Sequence, residues 1–340
     1  MLNKLFMPVM SLILISLLAG CSFSSKDEIH SFSGFSIGTS YSIKYVAATA
    51  EVEALQLGVE GVLSKVNKLM STYLPNSDVS RVSRAEAGEL TRVDELTLNV
   101  LHAALQIAED TEGNFDPTIA PLVNLWGFGP TPRNNQLPDE HEIDQLTQLV
   151  GYKALLLDDD NVTVKKTEYR ELDLSAIAKG YAVDLIADYL EQRGIVNYLV
   201  EVGGEMRLSG SKPNNEAWRI AIEKPDVSQR SAIKTLEIEN AAVATSGDYR
   251  NYFELEGVRY SHTIDPATGY PIKHNLASVT VIMDRCMAAD AYATAFLVMG
   301  IDKALQFVED QKIAALFILK EGDEFKVIQS SEFTETFGEI

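Results

Sequence analysis

The stretch LDLSAIAKGYAVDLIADYLEQRGIVNYLVEVGGEMRL, residues 172–208, carries more architectural information than any other part of the chain. It begins as a strand end and becomes a helix, capped by Ser175 and stopped by Gly194. Residues 197–208 then alternate as a strand interrupted by Gly203-Gly204. Towards the C-terminus, strands are expected over residues 218–223, 233–238 and 252–262, the last turning at Glu256-Gly257. A strand over 279–283, helices over 288–299 and 302–311, and a hairpin around Glu321-Gly322-Asp323 close the chain. Towards the N-terminus, residues 35–46 alternate apolar and polar and predict one strand. Val52, Leu55, Val59, Val62, Val66 and Leu69 fall at helical spacing, so residues 51–73 predict a helix. Residues 93–112 repeat that pattern and stop at Gly113. Pro138-Asp139 opens a shorter helix, and a hairpin turns at Asp159-Asp160-Asn161. Hairpins outnumber strand-helix-strand units in the second half. The fold class is therefore α+β, with mixed, largely antiparallel sheets and packed helices. No GxGxxG follows a strand and no P-loop lysine motif occurs, which counts against a doubly wound nucleotide fold.

The first 20 residues stand apart. One basic residue, Lys4, precedes the apolar run PVMSLILISLLAG, which ends just before Cys21. The run is too short for a committed membrane span and reads as a signal peptide. Leu18-Ala19-Gly20-Cys21 reads as a lipobox, with Cys21 as the acceptor of the lipid. The polar residues that follow read as a tether, giving the division 1–20, 21–30 and 31–340. Of the 340 residues, 29 are Lys or Arg and 49 Asp or Glu, a formal net charge of −20. The basic residues are scattered rather than striped, which argues against a nucleic-acid partner. An acidic protein that binds phosphates needs a cation at the site. Cys286, the second of two cysteines, has no intramolecular disulfide partner once Cys21 is lipidated. It reads as buried and inert.

Five stretches hold residue types that could do chemistry. Asp290 and Thr294, four apart on a helix among alanines, offer two hard oxygens suited to Mg²⁺ or Ca²⁺. On spacing alone ordinary helix-end and back-bonding roles account for them better, and a carboxylate amid small apolar residues, which needs a partner, raises the metal reading. Residues 173–180 join a strand to a helix, where backbone N–H groups hold a phosphate or simply cap. His262, followed by the Asp265-Pro266 turn, is a candidate general base or a satisfied structural histidine. The aromatic stretch 115–129 lines a flat-ring pocket or plugs the space beneath a loop. Residues 245–252 bind phosphate or form a bend.

The order of these stretches is more informative than any one of them. The runs IGTSYSIKY, MSTYLPNSDVSRV, GNFDPTIAPLVNLWGFGP, LDLSAIAKGYAVD, YLVEVGGEM, ATSGDYRNYF, RYSHTIDPATGYPI and AADAYATA together resemble the ApbE family of FAD:protein FMN transferases. The resemblance runs from about residue 33 to the C-terminus. It implies a T-fold-like α+β body over residues 31–340 with FAD in a cleft and Mg²⁺ at the pyrophosphate. It implies metal ligands at Asp290, Thr294 and the backbone carbonyl of Ala176. FAD contacts are implied at Ile37, Tyr73, Phe115, Asp116, Pro117, Asp173, Lys179 and Ile264. Lys179 stands where some members carry glutamate, so a lysine there meets phosphate or adenine edges instead. Ala288 stands where some members have a further aspartate, so the metal leans on water and phosphate oxygens. The activity implied is attack of an acceptor threonine hydroxyl on the FMN phosphorus with loss of AMP. His262 is expected to take the proton, with Asp265 as orienting neighbour or second base. Acceptors are expected among flavoproteins such as subunits of NADH:quinone reductase or Rnf-type complexes. The site of action is expected on the periplasmic face of a bacterial membrane. Hydrolysis of FAD to FMN and AMP, or plain FAD binding, would use the same cleft.

Overall fold

The chain opens with a hairpin where the alternating run had predicted a single strand. In the computed structural model, which describes residues 27–131, 136–225, 231–248 and 251–340, β1 (Glu28–Ser36) pairs antiparallel with β2 (Thr39–Ala47). The turn falls on Ile37 and Gly38, both at positive φ (45° and 77°). Gly38 adopts that conformation freely, and the turn cuts the predicted strand near its start. The signal segment, Cys21 and most of the tether lie outside the described residues.

Helices α1 (Val52–Met70) and α2 (Asp78–Arg84) follow. Leu55, Val59, Leu63, Val66 and Met70 form the buried stripe of α1. Next come β3 (Leu90–Arg92), α3 (Glu95–Asp110), α4 (Ala120–Leu125) and α5 (Glu140–Thr147). Strands β4 (Leu155–Asp158) and β5 (Thr163–Lys166) make the expected hairpin and join β3 in a small sheet. The region of residues 172–208 yields α6 (Ser175–Glu191), β6 (Tyr198–Val202) and β7 (Glu205–Ser209), the last two joined at Gly203-Gly204. The cap of α6 differs from expectation. Ser175 is its first helical residue, and Asp173 Oδ1 accepts the Ser175 N–H at 2.8 Å. Aspartate satisfies the first N–H from outside the helix, where serine had been expected to do so.

The rest comprises β8 (Trp218–Glu223), β9 (Ala232–Ile238), β10 (Ala241–Gly247), β11 (Tyr252–Leu255), β12 (Val258–Ser261) and β13 (Leu276–Met283). Then come α7 (Cys286–Met299), α8 (Ile301–Gln311), β14 (Ala314–Glu321), β15 (Glu324–Gln329) and α9 (Ser331–Phe337). An antiparallel sheet of eight strands, ordered β1-β2-β6-β7-β10-β13-β14-β15, organises these elements. Strand alternation sorts its side chains between two layers. Ala242, Ala244, Ala315 and Phe317 face the helices and join the main core. Val243, Leu316 and Ile318 face the β8–β9 ribbon and α9, around Trp218 and Phe333. Both faces of β13 and β14 are covered, which is why those strands read as continuous apolar runs rather than alternating ones. Among the described residues no helix is long and apolar enough to cross a membrane.

Two devices lock the helical layer beside the sheet. Helices α6 and α7 meet at Gly180, where a Cβ would lie 2.3 Å from the Cys286 carbonyl oxygen. Asp184 of α6 then accepts the first N–H groups of α7, from Cys286 at 3.1 Å and Met287 at 3.0 Å. A buried carboxylate at a helix N-terminus satisfies orphan donors and complements the helix dipole. Arg207 and Arg285, both 3.3 Å away, balance its charge.

Candidate active site

A cleft of about 460 Å³ opens where the starts of α6 and β7, the end of β10, the cleft face of α7 and the turn after β12 converge. Its lining includes Tyr73, Phe115, Asp116, Asp173, Ala176, Lys179, His262, Ile264, Asp290 and Thr294, all expected from the sequence. Ile37, Pro117 and Asp265 stand outside that lining. Ile37 sits in the β1–β2 turn, and Ser40 two residues beyond Gly38 accepts the Gly203 N–H at 3.0 Å. Pro117 lies behind the wall, its carbonyl accepting the Asp173 N–H at 2.8 Å. Asp265 is taken up by its own turn, with Oδ1 accepting the Ala267 N–H at 2.8 Å.

Asp116 lines the cleft, but its carboxylate is already engaged. Oδ1 accepts from the Thr118 N–H at 2.8 Å and hydroxyl at 2.6 Å, and Oδ2 from the Tyr152 N–H at 2.9 Å. Burial pushes its pKa up, while these donors oppose the rise. The side chain therefore holds the loop that carries Phe115 in place. Tyr73 is 66% exposed, at the lip.

The aromatic stretch divides between its two readings. Trp126 is a buried plug: its indole N–H donates to the Gly269 carbonyl at 2.8 Å, and its ring stacks on Tyr260 at 5.6 Å. Phe128 lines the cleft, stacked on Phe253 at 5.5 Å and edge-on to the His262 ring at 6.2 Å. Together they seat the turn after β12, with Gly269 at φ +73° packed against Thr147.

His262 is half-buried, and its Nδ1 lies 2.9 Å from the Asn251 carbonyl oxygen. A carbonyl only accepts, so Nδ1 carries the proton and Nε2 keeps its lone pair. Burial lowers the imidazole pKa; the Asn251 carbonyl opposes this and the Lys179 ammonium adds to it. The ring is thus a neutral base in the cleft wall.

The opposite wall is ionic. Asp290 is 2% exposed, and its Oδ2 accepts the Gly180 N–H at 2.9 Å. One turn on, Thr294 Oγ1 lies 3.0 Å from Ser246 Oγ on β10. Lys179 Nζ donates to Glu205 Oε1 at 2.5 Å and stands 3.6 Å from Asp290 Oδ1. The lysine thus meets two carboxylates. Burial acts to lower the Lys179 pKa, but Asp290 and Glu205 outweigh it and the ammonium is held charged. Burial pushes Glu205 up, against the pull of Lys179 and with the help of Asp290.

One residue here escaped the sequence reading. Glu205 follows a double-glycine turn in a strand of mainly apolar neighbours, and a carboxylate entering such a layer was the available signal. Ser246 lies in the stretch read as a phosphate site or a bend; pairing with β13, from Ala242↔Met283 to Gly247↔Ser278, draws it into a strand rather than a bend. Cys286 is fully buried, and burial pushes its thiol pKa well up, in line with an inert role.

A sequence profile described as the ApbE family matches residues 37–317. An FAD:protein FMN transferase of Vibrio cholerae is 44% identical over 93% of this chain and 95% of its own length. One of Haemophilus influenzae is 38% identical over 98% of this chain and 99% of its own. The crystal structure of Pseudomonas stutzeri flavinyl transferase ApbE, in apo form, superposes with a TM-score of 0.85 at 40% identity. That match covers 92% of this chain and 98% of that one.

Proposed function

The chain belongs to the ApbE family and transfers FMN from FAD to an acceptor protein, and we propose that the transfer is Mg²⁺-dependent, falls on a threonine hydroxyl and releases AMP. The observation that carries the cation reading is the Gly180–Asp290 hydrogen bond. In a regular helix the Gly180 N–H is the partner of the Ala176 carbonyl. It also donates to Asp290 Oδ2 at 2.9 Å, which holds that carboxylate beside the first turn of α6 and its Ala176 carbonyl. Ala176 O, the Asp290 carboxylate and Thr294 Oγ1 are all hard oxygens, the donor set that Mg²⁺ takes when water and phosphate oxygens complete its shell. Two buried carboxylates, Asp290 and Glu205, also share one ammonium, so the wall is short of positive charge. These residues fit a divalent cation.

When bound there, Mg²⁺ would offset the charge of the pyrophosphate and of the departing AMP. His262 Nε2 takes the proton from the acceptor hydroxyl. The hydroxyl oxygen forms a bond to the FMN phosphorus as the bond from that phosphorus to the AMP phosphate oxygen breaks. A proton-bearing Nδ1 held by the Asn251 carbonyl fixes the ring and leaves the Nε2 lone pair free to take that proton. Phe128, backed by Phe253, gives one side of the cleft an apolar wall.

We place the protein on the periplasmic face of a membrane, lipid-anchored at Cys21. The support is the sequence Leu18-Ala19-Gly20-Cys21 after an apolar run. Acceptors are then flavoproteins of that compartment, of the NADH:quinone reductase and Rnf types. Intact mass of such an acceptor after incubation with this protein, FAD and Mg²⁺ tests the reading. A gain of one FMN, lost on chelation, supports it. AMP release with no gain in mass means hydrolysis instead, and neither product removes the reading.

A further inference from the structure

Glu205 has no part in the proton transfer or the cation site described above, yet it is the most unusual carboxylate in the cleft. It is 4% exposed and begins β7, directly after the Gly203-Gly204 turn. That turn is pinned: both glycines have positive φ, and a Cβ on Gly203 would lie 3.0 Å from Thr39 on β2. Glu205 is therefore delivered into the cleft by rigid backbone. Its Oε1 binds Lys179, and its Oε2 is buried without a hydrogen-bond partner among the described residues.

We propose that Glu205 is a positioning residue: it carries the Lys179 ammonium and so leaves the Asp290 carboxylate to the divalent cation. This rests on the cation reading given above. Lys179 lies one helical turn beyond Ala176, on the same face of α6. An ammonium there and a divalent ion at Ala176 O and Asp290 repel each other, and both are attracted to Asp290. At 2.5 Å from Glu205 and 3.6 Å from Asp290, the ammonium is already biased towards Glu205. The shorter contact is a charge-assisted hydrogen bond, the longer an ion pair without one. Without the Glu205 charge, Asp290 becomes the only carboxylate of this pair left to the ammonium, and Lys179 competes with the metal for it.

The role is distinguished from direct ligation by a double substitution. Mn²⁺ alone, without FAD, is titrated into the full-length protein and free Mn²⁺ is followed by electron paramagnetic resonance. Glu205→Gln keeps shape and is expected to weaken Mn²⁺ binding about tenfold or more. Lys179→Met removes the competitor and is expected to bind Mn²⁺ at least as tightly as the parent. The double variant is expected to match Lys179→Met, because nothing is left for Glu205 to hold. Circular dichroism melts of each variant confirm the fold. Unchanged binding in Glu205→Gln overturns the proposal. So does a double variant as weak as Glu205→Gln, since that makes Glu205 a ligand. A parent protein that takes up no Mn²⁺, alone or with ADP to supply pyrophosphate oxygens, or that takes up as much after Asp290→Ala, overturns the cation reading itself and this role with it.

Discussion

Gly180 and Asp290 meet across the contact between α6 and α7, the backbone N–H of one donating to the carboxylate of the other at 2.9 Å. A Cβ on Gly180 would stand 2.8 Å from the Asp290 Cβ and 2.3 Å from the Cys286 carbonyl oxygen. Alanine is the better helix former by ~1 kcal/mol, but overpacking against backbone costs ~1–3 kcal/mol or more. Gly180→Ala is therefore expected to lower stability, and to lower divalent-ion affinity by pushing Asp290 away. A urea titration reads the first and a Mn²⁺ titration the second. A more stable variant with normal metal binding would show that the helices separate freely.

Asp290 and Thr294 should separate in their effects. Asp290→Ala removes the only carboxylate of the proposed donor set. Metal affinity is expected to fall beyond the ~10–100-fold that changes to surrounding groups produce, and transfer to stop. Thr294→Val keeps the shape and loses one neutral oxygen, so a smaller loss that excess Mg²⁺ overcomes is expected. Calorimetric titration with Mg²⁺, beside an assay of AMP release over a range of Mg²⁺, checks both.

How much of this could be read from the chain depends on distance along it. The pair Asp290 and Thr294 was legible because helical spacing is a local property, and so were the periodic faces of α1 and α3. The opening hairpin was misread because alternation continues through a turn that only φ at Ile37 and Gly38 reveals. The cap of α6 was misplaced by two residues, since serine and aspartate both suit the position and geometry selects between them. Glu205 acquires its meaning from Lys179, 26 residues earlier on another element. Asp265 was open to two readings, a neighbour or second base beside His262 or a stabiliser of its own turn, and the Ala267 N–H on its Oδ1 fits the second. Spacing reports what one element places together; it does not report which elements meet.

Asp184 tests the support behind the site. It is fully buried, accepts the first two N–H groups of α7, and faces Arg207 and Arg285. Asp184→Ala removes a cap and leaves two N–H groups without an acceptor, while Arg207 and Arg285 keep Asp188. A loss of ~1–3 kcal/mol is expected, most of it from the uncapped N–H groups. Because α7 carries Asp290 and Thr294, metal affinity should fall in parallel. Denaturant midpoints and Mn²⁺ titrations of the same preparations check the coupling; a destabilised variant with unchanged affinity would show that α7 keeps its place without the cap.

His262 gives the pH dependence. Burial holds its pKa below the ordinary 6.5, and as a base it acts when neutral. The single-turnover rate of transfer is therefore expected to stay flat as pH falls to 6.5, and to drop only as pH passes below the depressed value. Stability follows the same sign. Above 6.5 the imidazole is neutral in both folded and unfolded chains and contributes no pH slope. As pH falls below 6.5, the unfolded chain takes up the proton first, so stability declines until the folded-state value is also passed. His262→Gln removes a titrating group from both states, so that part of the stability slope should flatten. Its transfer rate should fall ~10²–10⁴-fold, with FAD affinity changed far less. Rapid-mixing rates over pH 5 to 8, beside FAD binding followed by flavin fluorescence, separate the two. A variant that loses FAD binding but keeps its rate per bound FAD would make His262 a contact for the flavin nucleotide rather than the base.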